Sequence, residues 1–225
     1  MRLASGLAAL LTVCWALLLY GMLSYPLPHD FHHHIDSPVL AIELASDQSE
    51  VDAVLQKNSA AIATLHLNTM LDLVFIPLYT VYLVLAGRLF GVRLGLILPL
   101  AIVAGIADYL EDYFIFQSLN LVTPPHQFVP SLIKWITIGI AIAVVGVAML
   151  RGVTAIYSSA VRKILGVAHL IAAALMLVAA GFGRWIGYGY SPIALANLIF
   201  GLTVVANAIG LLWPTSSRSS GLPSA

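Results

Sequence analysis

The chain has little charge for its length. Only 9% of its 225 residues are Asp, Glu, Lys or Arg, whereas an ordinary soluble domain carries about 25%. Hydrophobic residues make up 60% of the chain, and its mean hydropathy is +0.98. This composition excludes a soluble globular domain and indicates an all-α membrane protein built from several spanning helices.

Other absences exclude whole classes of function. Cys14 is the single cysteine, so an internal disulfide framework is excluded. Ten basic residues balance ten acidic ones, so the strong basic field that nucleic-acid binding needs is lacking. The chain contains no GxSxG, HExxH or CxxC motif, and the common hydrolase, metalloprotease and thiol-redox sites are therefore not indicated.

Six apolar runs are long enough to cross the roughly 30 Å hydrocarbon core of a bilayer. They cover residues 3–23, 66–86, 94–116, 131–150, 164–182 and 192–213. We expect residues 1–213 to form a single six-helix membrane domain and residues 214–225 to form a disordered cytoplasmic tail. No A-x-A cleavage site follows the first run, so we expect it to be a membrane anchor rather than a signal peptide.

The basic residues predict the orientation of the chain. Short loops rich in Lys and Arg stay in the cytoplasm, and most of the basic residues lie at the two ends or in two loops: Arg2, Arg88, Arg93, Arg151, Arg162, Lys163 and Arg218. We therefore expect a multi-pass protein of the cell membrane with both termini cytoplasmic and residues 24–65 extracytoplasmic.

The segment 24–65 is too short to hold a core of its own. Pro26, Pro28 and Pro38 predict that its first part is an extended strap, because proline fixes φ and restricts the residue before it. Asp47 followed by Glu50 resembles a capping box. The second part is therefore predicted to be a helix that lies on the membrane surface or runs into the second span.

Ionisable side chains gather at one depth in the predicted bundle. Each costs about 2.5 to 3.5 kcal/mol at the centre of a spanning helix on insertion scales, so each suggests a function. At 1.5 Å of rise per residue, one layer in the outer half of the membrane contains all five candidate catalytic residues: Asp72, Asp108, Glu111, Asp112 and Lys134.

Asp108, Glu111 and Asp112 are spaced three and four positions apart, which places them on one helix face. Close carboxylates in a low dielectric need a cation, a metal or a proton to neutralise them. Lys134 is the natural cation, and oxygen ligands of this kind suit a divalent metal such as Mg²⁺, Ca²⁺ or Mn²⁺. The alternative is a structural polar cluster in which the carboxylates are satisfied by Asp72, Lys134, Tyr79, Tyr109 and Tyr113.

A second group of polar residues lies in the predicted strap. His32 and His34 belong to a run of imidazoles and carboxylates that could hold zinc or copper, although its spacing matches no zinc signature. The alternative is an exposed polar loop. If the strap folds over the outer end of the bundle, it could add ligands to the carboxylate layer. His66 and His169 lie at different depths, which argues against a shared haem.

Four features of the middle of the chain form one pattern: an ELA segment at 43–45, an LDxxFIPxY helix at 71–79, an acidic helix similar to DxxEN at 108–112, and Lys134 followed by Trp135. This pattern resembles a group of small bacterial integral membrane proteins, although Asp112 replaces the expected Asn. The resemblance implies no activity. It implies that one site contains Glu43, Asp72, Tyr79, Asp108, Glu111 and Lys134.

Three functions remain open at this point. The first is an intramembrane enzyme or binding protein for a lipid or isoprenoid, with carboxylates as acid, base or metal ligands and Lys134 holding an anionic headgroup. The second is a non-catalytic accessory or scaffold protein whose strap binds a partner. A proton- or cation-coupled transporter is less favoured, because the inner halves of the predicted spans are almost entirely apolar.

Overall fold

The computed structural model describes residues 37–57, 62–120, 126–152, 157–182 and 191–212, with six isolated positions before them. These ranges form seven α-helices and no strand. In chain order the helices are α1 Pro38–Glu43, α2 Gln48–Lys57, α3 Ile62–Leu89, α4 Leu94–Leu119, α5 Phe128–Arg151, α6 Ser159–Phe182 and α7 Ser191–Leu212.

Within the described ranges, four helices are long and apolar enough to cross a bilayer. These spans are Leu65–Leu89, Leu94–Leu119, Phe128–Arg151 and Ser159–Phe182. Helix α7 contributes a shorter apolar stretch, Pro192–Asn207. The described part of the chain is therefore all-helical, and its long apolar helices indicate a membrane protein. The described residues leave out most of the first predicted span, most of the strap with His32 and His34, and the tail 214–225, so the six-span arrangement stays a prediction.

The long helices pack in chain order. Helices α3 and α4, α4 and α5, α5 and α6, and α6 and α7 are neighbours, and α3 also contacts α5. The short helix α1 contacts α3 and α4. Helix α4 has one buried side and one exposed side. Ala104 and Asp108 are buried, whereas Ile106 and Leu110 are exposed and would face lipid in a membrane.

Two glycines bring α5 and α6 together. A Cβ atom added to Gly146 would lie 3.0 Å from the backbone oxygen of Gly166, and the reverse substitution gives the same distance. Small residues of this kind let the backbones of spanning helices approach closely, which strengthens van der Waals packing where lipid removes most of the hydrophobic driving force.

The prediction that Pro38 belongs to an extended strap is wrong. Pro38 begins α1, and the side chain of Ser37 caps this helix by accepting a hydrogen bond from the backbone N–H of Leu40. Proline is favoured in the first turn because its missing N–H has no partner to lose there and its φ already suits a helix. Pro26 and Pro28 lie outside the described residues.

The predicted helix start at Asp47 is confirmed. The Asp47 carboxylate accepts the backbone N–H of Glu50 at 3.1 Å, and α2 begins at the next residue, Gln48. The Glu50 carboxylate accepts the backbone N–H of Ser46 at 2.6 Å. In the usual capping box this carboxylate accepts the backbone N–H of the N-cap residue, which here is Asp47. In this protein it accepts the N–H of the preceding residue instead.

A buried acidic cluster as the candidate functional site

Lys134 of α5 lies among carboxylates from two other helices. Its Nζ donates to Glu111 Oε1 at 2.7 Å, and it lies 3.2 Å from Asp108 Oδ1 and 3.4 Å from Glu43 Oε2. Asp108 and Glu111 belong to α4, whereas Glu43 is the last residue of α1. One ammonium group therefore joins three helices.

Asp112 completes what we call the acidic cluster, which consists of Glu43, Asp108, Glu111, Asp112 and Lys134. All five residues are buried, with 5% or less of each exposed. The cluster thus contains four buried carboxyl groups and one buried ammonium group, which pairs with three of them. Even a buried ion pair gains its attraction only against a large desolvation cost. Burying more carboxyl groups than ammonium groups is therefore unusual in a membrane helix.

Asp72 approaches the cluster from α3. It is half-buried and interacts electrostatically with Asp108 and Asp112. The five candidate residues predicted from sequence, Asp72, Asp108, Glu111, Asp112 and Lys134, are therefore near one another in the structure. Their catalytic roles stay predictions.

The tyrosines divide into two groups. Tyr79 of α3 is buried and interacts electrostatically with Asp108, as the structural alternative requires. Tyr109 and Tyr113 are 44% and 56% exposed, and the Tyr109 hydroxyl donates to the backbone oxygen of Leu73. The prediction that these two satisfy the carboxylates is wrong, because each lies one residue, or about 100° of helix, beyond a buried acid.

Glu43 reaches the cluster because the end of α1 is held in place. Gln127 Nε2 donates to the backbone oxygen of Ile42 at 3.0 Å, and Ser131 Oγ donates to that of Glu43 at 2.6 Å. Ser118 Oγ on α4 donates to the Gln127 side-chain oxygen at 3.2 Å. The Ser131 bond satisfies the Glu43 carbonyl, one of the groups that the end of a helix leaves without an intrahelical partner. The Gln127 bond adds a donor to the Ile42 oxygen, which also accepts the backbone N–H of Ala45.

Gln127 and Ser131 were not identified from the sequence. The available signal was their spacing, since residues 127, 131 and 134 are four and three positions apart and so lie on one side of α5. A polar stripe at the start of an apolar helix indicates a polar neighbour. Nothing in the spacing identified that neighbour as α1.

The environment of Glu43 favours its neutral form. Burial raises the pKa of the Glu43 carboxyl above its ordinary value, and the positive charge of Lys134 opposes this rise. Asp108 adds a further upward push, because like charges disfavour ionisation. The carboxyl group that α1 contributes therefore has a higher pKa than that of an exposed glutamate.

A metal ion does not fit the cluster as it is arranged. Over the described ranges, no group of three His, Cys, Asp or Glu side chains is placed to hold a metal. Lys134 Nζ occupies the position between Glu43, Asp108 and Glu111 that a cation would take. The predicted divalent-metal site at Asp108, Glu111 and Asp112 stays a prediction.

A second polar group lies away from the cluster and joins α7 to α3. The Tyr157 hydroxyl donates to Asn207 Oδ1 at 3.0 Å, and Asn207 Nδ2 donates to the Tyr82 hydroxyl at 3.0 Å. Burial raises the pKa of Tyr157 to about 12, so its hydroxyl remains a donor at neutral pH. No acidic side chain takes part in these bonds, which indicates a structural role.

The two intramembrane histidines are placed separately. His169 is buried in α6 with Nδ1 2.8 Å from the backbone oxygen of Leu165, and its ring packs edge-on against Phe200. His66 is near the start of α3 with its ring beside Phe116. The two rings therefore pack against different helices, α4 and α7.

No protein-family model matches the chain, and neither a curated protein nor a solved structure is significantly similar to it. The case for a function therefore rests on the geometry of the acidic cluster.

Proposed function

We propose that this integral membrane protein binds a lipid or isoprenoid whose polar end reaches the acidic cluster. In the enzymatic form of the proposal, Asp108 or Glu111 acts on the bound ligand as a general acid or base. The observation that supports it is the surplus of carboxyl groups buried around a single lysine. A lone Lys–Glu pair would suffice to join two helices, whereas each further ionisable group adds an insertion cost.

The proposal includes a position for the site within the membrane. We place both termini and the two basic loops in the cytoplasm and residues 24–65 outside, with six spans in total. Glu43 belongs to that outer segment and pairs with Lys134. This contact supports a cluster in the outer half of the bilayer, open to ligands from the outer leaflet when α1 moves.

Native mass spectrometry of the detergent-purified protein tests this function. The wild type is compared with Glu111→Gln, which keeps the size of the side chain and removes one carboxylate. Asp52→Asn is the matched control, because Asp52 lies on α2 and accepts a hydrogen bond from Gln48 of the same helix. We expect a retained lipid in the wild type and the control, and its loss in Glu111→Gln.

A folded Glu111→Gln variant that retains the same lipid would contradict the proposal. Folding is checked separately by elution volume and by the midpoint of thermal unfolding. Bare protein in all three samples, with equal unfolding midpoints, would also contradict it and would favour the alternative below.

The alternative is a non-catalytic accessory or scaffold protein in which the cluster only holds helices together. The observation in its favour is that Lys134 bridges α1, α4 and α5 while being only 3% exposed. A buried charged pair can often be replaced by neutral groups of similar size at little cost. The double variant Glu111→Gln with Lys134→Met removes both members of the pair at 2.7 Å and would then keep full function. A marked loss in a stable variant would count against a scaffold.

A further inference from the structure

In the acidic cluster, the buried side-chain atoms that lack a hydrogen-bond partner in the described part of the chain are carboxyl oxygens. Glu111 Oε2 and Asp112 Oδ2 are buried and have no hydrogen-bond partner within the ranges the structure describes. Both are acceptors when the carboxyl groups are ionised. Buried polar atoms are nearly always paired, so these oxygens indicate a missing group that donates hydrogen bonds.

Tyr79 supplies a second, independent observation. Tyr79 is only 2% exposed, and its hydroxyl interacts with Asp108 and Lys134. The hydroxyl is therefore directed into the acidic cluster. Among the described residues this hydroxyl also lacks a hydrogen-bond partner. The Tyr79 hydroxyl is thus close enough to the Asp108 carboxylate to interact with it, but the two groups do not meet in the geometry of a hydrogen bond.

Lys134 cannot serve as the binding group for an anion. Its ammonium already lies within 3.4 Å of three carboxylates, from Glu43, Asp108 and Glu111. A phosphate brought to this position would meet those carboxylates as well, and like charges at close range in a low dielectric repel strongly. The hypothesis that Lys134 holds an anionic headgroup is therefore disfavoured.

We infer that the polar end of the ligand is an amine, a positively charged hydrogen-bond donor, bound by the open carboxyl oxygens of Glu111 and Asp112 and by the Tyr79 hydroxyl. This inference rests on the proposed lipid-binding function and specifies its ligand class. An ammonium group offers several N–H donors and offsets the surplus negative charge, as Lys134 does beside it. The half-buried Asp72 is the least enclosed carboxyl near the cluster. Its negative charge extends the preference for a positively charged ligand outward along α3.

Binding of three amphiphiles with the same twelve-carbon chain tests the inference. Dodecylamine, dodecanol and dodecyl phosphate are titrated separately into the full-length protein in nanodiscs of zwitterionic lipid, and bound ligand is measured by native mass spectrometry. The test variant is Asp112→Asn, because Asp112 makes no ion pair with Lys134 in the described structure and its loss leaves those pairs intact. Asp52→Asn again controls for the loss of one negative charge.

We expect dodecylamine to bind the wild type more tightly than dodecanol, and dodecyl phosphate to bind most weakly. Asp112→Asn should weaken amine binding about tenfold or more, the effect of losing one charge-assisted hydrogen bond, whereas Asp52→Asn should change it little. Tyr79→Phe should weaken it by a smaller factor, since a neutral hydroxyl is lost.

Two results would overturn the inference. Tight binding of dodecyl phosphate that Asp112→Asn strengthens would show a lipid site of the opposite charge preference, and the proposed function would survive. Equal binding of all three compounds, unchanged by Asp112→Asn, would show only insertion of the alkyl chain. The proposed function itself is tested separately, by the comparison of lipid retained in the wild type and in Glu111→Gln.

Discussion

The Ser131 hydroxyl donates to the backbone oxygen of Glu43 at 2.6 Å, although 88 positions separate the two residues. On the same side of α5, Lys134 lies 3.4 Å from the Glu43 carboxylate. Helix α5 thus holds both the backbone and the side chain of the residue that ends α1. The acidic cluster and the position of α1 are therefore coupled.

Removing the Ser131 hydroxyl should loosen α1. In Ser131→Ala the Glu43 carbonyl loses its donor, which costs about 1 to 3 kcal/mol for a buried group. We expect a cysteine introduced at the buried position of Ala45, with Cys14→Ala in the background, to react with a water-soluble maleimide roughly fivefold faster or more. The labelling rate in detergent is the measurement.

Thr137→Val is the control for this change. Its hydroxyl also lies on α5, but it bonds only to the backbone oxygens of Ile133 and Lys134 within the same helix. Its removal should leave labelling unchanged. Equal acceleration in both variants would show that α5 itself is disturbed, and the proposed seating of α1 by Ser131 would be wrong.

Lys134 should be more costly to remove alone than together with a partner. Lys134→Met leaves Glu43, Asp108 and Glu111 buried without their cation, and breaking a buried pair costs about 3 to 5 kcal/mol. Adding Glu111→Gln removes the carboxylate at 2.7 Å and should recover part of the lost stability. Unfolding midpoints of both single variants and the double variant give the coupling; simply additive losses would contradict the ion pair.

Because α5 and α6 approach each other closely, the effect of a glycine-to-alanine substitution on stability should depend strongly on its position. In Gly146→Ala the new Cβ would lie 3.0 Å from the Gly166 backbone oxygen, and overpacking of this kind costs about 1 to 3 kcal/mol. Gly95→Ala on α4 meets nothing within 4 Å. It should be neutral or stabilising, because alanine favours a helix more than glycine. Thermal unfolding of the two variants checks this contrast.

Asn207 should contribute to stability through two tyrosines at once. Asn207→Leu removes the bonds to Tyr157 and Tyr82 and should cost about 1 kcal/mol, since interhelical hydrogen bonds in membranes average around 0.6 kcal/mol each. Tyr157→Phe removes only the first of these side-chain bonds and should cost less. In Asn207→Leu the Tyr157 hydroxyl still has the backbone oxygen of residue 207 as an acceptor, at 3.2 Å in the wild type. Tyr157→Phe should therefore cost less in that background than it costs alone; an equal loss in both backgrounds would exclude the bond between the two side chains.

Much of the site could be predicted from local spacing. Asp108, Glu111 and Asp112 share a side of α4 because a helix turns about 100° per residue, and the membrane setting makes that side the buried one. Lys134 could be assigned as their cation because its depth follows from the rise of the helix. The same 100° rule, applied to Tyr109 and Tyr113, would have placed both beyond the acids and away from them.

The amino-acid sequence by itself determined that the chain is a helical membrane protein and that carboxylates gather on one side of α4, because composition and helical period are local properties. Only the tertiary structure decided that α1 lies against α3 and α4, and that Gln127 and Ser131 bring Glu43 to Lys134. The physical reason is that carbonyl groups at the end of α1 accept hydrogen bonds from side chains at the start of a helix that is distant in the chain. Such a pairing depends on which helices become neighbours, and no period along the chain encodes it.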